Sequence, residues 1–171
     1  LEDTIVVVTA DHGEEFGDHG SIGHARTLHE ELIRVPLVVR IPGQEPQRID
    51  DPVALVDLYP TVLSALGTEV PAGRVGQDIR PGGPGLQPGR VVYSETSRGA
   101  RLRAAIQGPW KVIREGRMPQ PAVYDLGRDP LEQASLPIAS APEAQDLTRA
   151  LDAWWGALKD EAREEATLDL G

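Results

Sequence analysis

Hydrophobic and polar positions change their rhythm twice along this chain. Thr4-Ile5-Val6-Val7-Val8-Thr9-Ala10 is a continuous, largely β-branched run, the pattern of a strand buried on both faces of a parallel sheet. Leu37-Val38-Val39-Arg40-Ile41 is a second strand, bounded by Pro36 and by Pro42-Gly43. Between them Thr27-Leu28-His29-Glu30 has the spacing of a capping box and predicts a short helix to about Arg34, with Thr27 as its N-cap. From Val53 to Leu66 the positions Leu55, Leu58, Val62, Leu63 and Leu66 recur at helical spacing, with Pro60 near the start and Gly67 past the end.

No apolar period survives between Gly67 and Arg90, where Pro81-Gly82-Gly83-Pro84-Gly85 forms the centre of a connector. Beyond it, short strands are predicted at 90–95, 102–107, 110–114 and 122–126, with Gly108-Pro109 as a hairpin turn. Pro142 to Ala166 then reads as one long amphipathic helix whose apolar stripe is Leu147, Leu151, Trp154, Trp155 and Leu158. The expected organisation is an α/β segment over 1–75, a Gly/Pro-rich connector over 76–89, and a small antiparallel four-stranded α+β subdomain with a C-terminal helix over 90–171.

Composition narrows the partners. With 27 acidic and 17 basic residues the formal net charge is −10, which argues against a nucleic-acid surface. No apolar run approaches the roughly 18 residues that cross a bilayer. There is no cysteine, so disulfides and thiolate metal sites are excluded while the compartment is not read. The chain starts at Leu1, almost on a core strand, so further sequence is expected upstream, and any signal peptide or anchor would lie there.

The candidate chemistry sits where the first strand ends. Asp11 and His12 follow it directly, at the carboxyl end of a strand, where ligands bind in open α/β sheets. A carboxylate oxygen and an imidazole nitrogen can hold a divalent cation together, and Gly13 lets the backbone turn sharply after them. All four histidines, His12, His19, His24 and His29, fall within eighteen residues. Their spacings of seven, five and five do not match a tight zinc pair, so a self-contained four-histidine site is not the reading. His19 is expected to order its loop, His29 to pack structurally, and Glu14 and Glu15 to face solvent. Asp57 is expected to brace a helix start. Trp154 and Trp155 are expected in a helix core, and Lys111 is not read as catalytic.

Four segments in order resemble the C-terminal part of sulfatases, within the wider alkaline-phosphatase-like superfamily of metal-dependent phosphate and sulfate ester hydrolases. They are Val8-Thr9-Ala10-Asp11-His12-Gly13-Glu14, Leu28-His29-Glu30-Glu31-Leu32-Ile33-Arg34-Val35-Pro36-Leu37, Leu55-Val56-Asp57-Leu58-Tyr59-Pro60-Thr61-Val62-Leu63, and Val123-Tyr124-Asp125-Leu126-Gly127-Arg128-Asp129-Pro130-Leu131-Glu132. The resemblance implies a sulfatase-like sandwich, and it assigns Asp11 and His12 as ligands of a divalent metal ion. That ion is commonly calcium, with manganese, magnesium or zinc in other subgroups.

Where many sulfatases place a lysine that touches the sulfate, this chain has His24, which the resemblance makes a catalytic candidate able to donate to an anionic oxygen or to protonate a leaving group. The family's nucleophile motif, Cys or Ser followed by x-Pro-x-Arg, does not occur in this chain, and neither does its early carboxylate pair. The implied function is the C-terminal portion of a sulfuric ester hydrolase acting on a small-molecule or carbohydrate sulfate or phosphate ester. Its partner would be the missing N-terminal half of the same fold, without which this chain is expected to be inactive. The alternatives are a phosphodiesterase or phosphoglycerol-transferase-like member of the superfamily, and a stand-alone binding module.

Overall fold

The computed structural model describes residues 2–96, 101–116 and 118–168, the last nine of these in backbone only. Parts of the expected third segment, residues 97–100, 117 and 169–171, lie outside the described residues. The chain divides into two compact units, one of residues 1–24 and 31–92 and one of residues 25–30 and 93–171.

In the first unit β1 (Val6–Thr9) pairs with β4 (Leu37–Arg40) in the register Val6 to Arg40 and Thr9 to Leu37. The pairing is antiparallel, which corrects the parallel reading of the β-branched run. The run is not buried either: Val8 is 56% and Val38 62% exposed. Composition reports that a strand favours packing on both faces, and in the described residues those faces are open.

A second pair, β2 (Glu15–Phe16) and β3 (Ile22–Gly23), forms a short ribbon with Glu15 opposite Gly23 and Phe16 opposite Ile22. Its loop turns through Gly17 and Gly20, both at positive φ. The helix α1 covers only Glu30–Ile33, so Thr27 is not its N-cap and the expected capping box does not form. The Glu30 N–H is taken instead by the Glu132 carboxylate at 2.6 Å, a partner 102 residues away that local spacing cannot reveal.

The expected helix over 53–66 is a 3-10 turn, Leu55–Asp57, running into α2 (Leu58–Ala65). Its end is closed by two bonds, Gly67 N–H to the Ser64 carbonyl and Thr68 N–H to the Leu63 carbonyl, around Gly67 at φ +70°. That is the left-handed C-cap for which glycine is the residue of least strain. Asp57 braces the start as expected and does more. Fully buried, it accepts the N–H groups of Ala54 and Gln77, both at 2.8 Å, and a two-pronged bond from Arg90 at 2.8 and 3.1 Å. Ile79 N–H donates to the Thr61 hydroxyl at 3.0 Å, so the stretch from Gln77 to Ile79 is built into this unit.

The second unit is a sheet in the order β5-β6-β7-β8, formed by β5 (Val92–Thr96), β6 (Leu102–Gln107), β7 (Trp110–Glu115) and β8 (Ala122–Asp125). The β6–β7 hairpin turns at Gly108, φ +54°, as its Gly-Pro pair predicted. Against the sheet lies α3 (Pro142–Leu168), packed on β6 and β7; its Ala144, Leu147 and Leu151, like Ala104, Ala105 and Val112 of those strands, are fully or almost fully buried. Tyr93 stacks on Trp154 with ring centroids 4.7 Å apart and planes 2° from parallel, and the Arg103 guanidinium lies over Trp155 at 4.7 Å. The ring faces are thus engaged by neighbours, as a packed role for both tryptophans requires.

Candidate functional site

The candidate site is the loop that leaves β1 and rises into the β2–β3 ribbon. Its backbone is fixed against α1: Gly13 N–H donates to the Leu32 carbonyl at 2.8 Å. A Cβ on Gly13 would stand 1.9 Å from the Glu31 carbonyl oxygen, so only glycine allows this approach. Farther along, His19 Nδ1 lies 2.6 Å from the Glu31 carboxylate, both half-buried, and this pair orders the loop as expected.

At the loop's start the Asp11 carboxylate accepts the His12 N–H at 3.0 Å through Oδ1. Its other oxygen lies 3.7 Å from His12 Nε2. His12 Nδ1 is 2.7 Å from the Gly13 carbonyl oxygen, and a carbonyl only accepts, so Nδ1 carries the proton in this contact. Neutral imidazole then keeps a lone pair on Nε2, beside Asp11 Oδ2. A ring whose second nitrogen is tied to a backbone carbonyl is the usual support for a metal-ligating histidine. An oxygen and a nitrogen 3.7 Å apart, both well exposed, can meet one ion with small side-chain rotations. The residues therefore fit a divalent cation.

His24 lies at the same place. Its ring stacks on that of His12 with centroids 4.6 Å apart, and its Nδ1 is 3.3 Å from Glu14 Oε2. The ribbon produces this meeting. Glu15 pairs with Gly23, so Glu14 and His24 are the next positions outward on facing strands, ten residues apart in sequence. His12, Glu14 and His24 can each offer one ligand atom within 4.8 Å of the others. Glu14 is exposed, as expected, and lies against His24. Glu15, also expected in solvent, is fully buried, because strand alternation turns it to the opposite face.

The other two histidines stand apart from this group. His29 is in the second unit, with Nδ1 3.3 Å from Glu132 and its ring edge-on to Tyr124 at 5.7 Å. Glu132 is also the partner of Lys111, Nζ to Oε1 at 2.8 Å, and Lys111 reaches Glu30 at 3.0 Å. Lys111 and Glu132 are wholly or almost wholly buried, and Glu132 adopts φ +53°, a left-handed backbone that these contacts hold in place. Burial pushes the Glu132 carboxyl up, but the hydrogen bond from His29, the Lys111 ammonium and the Glu30 N–H together outweigh it, and the net shift is downward. In this closed charge cluster Lys111 is fully buried, its ammonium engaged by two carboxylates.

Residues 1–68 match the family model described as Sulfatase. Arylsulfatase K of Rattus norvegicus is 30% identical over 168 residues, covering 89% of this chain and 29% of that protein. YidJ of Escherichia coli K12, described as an uncharacterized sulfatase, is 36% identical over 78 residues, 46% of this chain and 16% of that one. Among solved structures, BT4656 in complex with its substrate D-glucosamine-2-N,6-O-disulfate superposes with a TM-score of 0.73 at 25% identity, over 94% of this chain and 35% of that one. The chain spans 29% of the rat relative's length and 16% of the bacterial one.

Proposed function

We propose that this chain, which has the sequence and alkaline-phosphatase-like fold of the sulfatase family, is the C-terminal portion of a metal-dependent sulfuric ester hydrolase. The observation that carries the reading is the Asp11–His12 pair, with Nδ1 of His12 committed to the Gly13 carbonyl and Nε2 left beside Asp11 Oδ2. When bound, a divalent ion supplies Lewis-acid polarisation of an ester oxygen and stabilises its developing charge. Asp11 and His12 hold that ion, and the contact of Gly13 with α1 fixes the backbone that presents them. His24, its ring half exposed, donates to the anionic ester oxygen or to the departing one.

In this reading the nucleophile comes from outside this chain, in which no Cys or Ser followed by x-Pro-x-Arg occurs, and the chain alone is inactive. The rest of the fold covers the open faces of β1 and β4, where Val7, Val8 and Val38 are exposed. The substrate is a small-molecule or carbohydrate sulfate ester, in line with the disulfated glucosamine held by BT4656.

The test is hydrolysis of 4-nitrophenyl sulfate by the whole protein that carries this chain. Asp11→Ala is expected to lower turnover about a hundredfold or more, since an ion contributes several kcal/mol to the transition state. Unchanged turnover would sink the reading. A phosphodiesterase of the same superfamily is the second reading, favoured by His24 in the position where many sulfatases carry lysine. Preference of the whole protein for bis(4-nitrophenyl) phosphate over the sulfate would establish it.

A further inference from the structure

Residues 25–30 belong to the second unit, although the chain on either side of them belongs to the first. Side chains of the second unit tie this segment at both ends. At the far end the Glu30 N–H donates to Glu132 at 2.6 Å, and the Glu30 carboxylate meets Lys111 at 3.0 Å. At the near end the hydroxyl of Thr96, the last residue of β5, donates to the Ala25 carbonyl oxygen at 3.0 Å. Among the described residues, Ala25 at φ +67° and Glu132 are the two that hold a positive φ without being glycine. One stands at each tie. A residue with a Cβ keeps that left-handed backbone only where its surroundings over-determine it.

We infer that Thr96 is a positioning residue for His24, its hydroxyl acting through the backbone of Ala25. The role rests on the reading above, in which His24 donates to the ester. Ala25 follows His24 directly, so its φ sets the direction in which the chain leaves the histidine. With the segment held at Glu30, relaxation of Ala25 to an ordinary negative φ swings the peptide that joins it to His24, and the ring moves with it. The ring's own contacts are loose. Its side chain is 44% exposed, Nδ1 stands 3.3 Å from Glu14, and its stack on His12 has centroids 4.6 Å apart. Threonine suits the task, because a β-branched side chain has few χ1 rotamers and presents its hydroxyl at little entropic cost.

The experiment is a double-mutant cycle in the whole protein that carries this chain, read as turnover of 4-nitrophenyl sulfate. Thr96→Val keeps the shape and removes the donor, and it is expected to lower kcat about tenfold, as misplacement of a reacting group does. Thr96→Ser keeps the donor and should stay within about twofold of the parent protein. In a His24→Ala background Thr96→Val should cost nothing further, because the hydroxyl acts only through that ring. A packing defect would lower both backgrounds alike. A second readout does not depend on turnover. The ring 1H–13C resonance of His24, identified by its loss in His24→Ala, should move in Thr96→Val and return in Thr96→Ser.

Unchanged turnover in Thr96→Val, additive losses in the cycle, or a His24 resonance that stays in place would overturn the inference. The two readings fail separately. A loss in His24→Ala that Thr96→Val does not share would leave the hydrolase standing and remove the positioning role. A His24 resonance that follows Thr96 in a protein without any ester hydrolysis would do the reverse.

Discussion

Two clusters of histidine, glutamate and their neighbours lie in this chain, built from the same residue types and buried to very different degrees. Around Glu132 every charge has a partner: Lys111, His29 and the Glu30 N–H converge on one buried carboxylate. Around His12 the groups are exposed and only loosely engaged, with Glu14 and His24 at 3.3 Å and their side chains 40% and 44% exposed. A buried ion pair must be closed, because an uncompensated charge in a low-dielectric interior costs several kcal/mol. A ligand site must stay open, because its groups have to exchange water and one another for an ion. Residue type is therefore a poor guide to role here, and burial decides it.

The contrast can be broken most forcefully at Glu132. Glu132→Ala leaves the Lys111 ammonium buried beside Glu30 alone and frees the Glu30 N–H, and a loss of about 3–5 kcal/mol in urea unfolding is expected. Glu14→Gln, at the exposed cluster, should stay within about 0.5 kcal/mol of the parent chain. Equal losses at the two positions would erase the distinction.

Next in size is Gly13→Ala, where the added Cβ meets the Glu31 carbonyl at 1.9 Å. A loss of about 1–3 kcal/mol is expected from overpacking, together with weakened metal binding as the loop shifts from α1. Stability and affinity that both match the parent would show that this contact does not set the loop.

The smallest and most discriminating effect is that of pH. Because the Glu132 carboxyl is held below its ordinary value in the folded chain, the unfolded state takes up its proton first as pH falls. Its contribution is therefore complete above the ordinary glutamate pKa and is lost as pH drops through the lowered folded value. Urea midpoints measured from pH 7 downward should fall more steeply for the parent chain than for Glu132→Gln. Parallel slopes would mean that the cluster does not hold this carboxyl in its charged form.

Much of this architecture was legible in the sequence. Alternation and turn residues located β6, β7, their Gly108 hairpin and β8 to within a residue or so, and the apolar stripe located α3. These elements bury one face against near neighbours, so local pattern and final environment agree. Two of the misreadings share one cause, which is partners remote in sequence. α1 is shorter than its capping box suggested, because Glu132 and not Thr27 serves its first N–H. Likewise the β-branched composition of β1 could not specify that β4 pairs with it antiparallel.

At the site, Asp11 and His12 were marked by their place at a strand end and by the resemblance, and His24 by the resemblance alone. The contact of Glu14 with His24 was missed. The signal for it was present in the two glycine-bearing turns between Phe16 and Ile22, which allow a tight ribbon. Its register, however, depends on which of two adjacent glutamates turns inward, and a slip of one residue exchanges Glu14 with Glu15. Glycine-rich loops specify that a chain reverses and leave open which side chains face each other when it does.

The parallel stack of Tyr93 on Trp154 has an optical consequence. All three tryptophans, Trp110, Trp154 and Trp155, belong to the second unit, so intrinsic emission from this chain monitors that unit selectively. Rings locked 4.7 Å apart give a strong near-ultraviolet dichroic band that vanishes once β5 and α3 separate. The protein thus carries a built-in optical gauge of one half of itself.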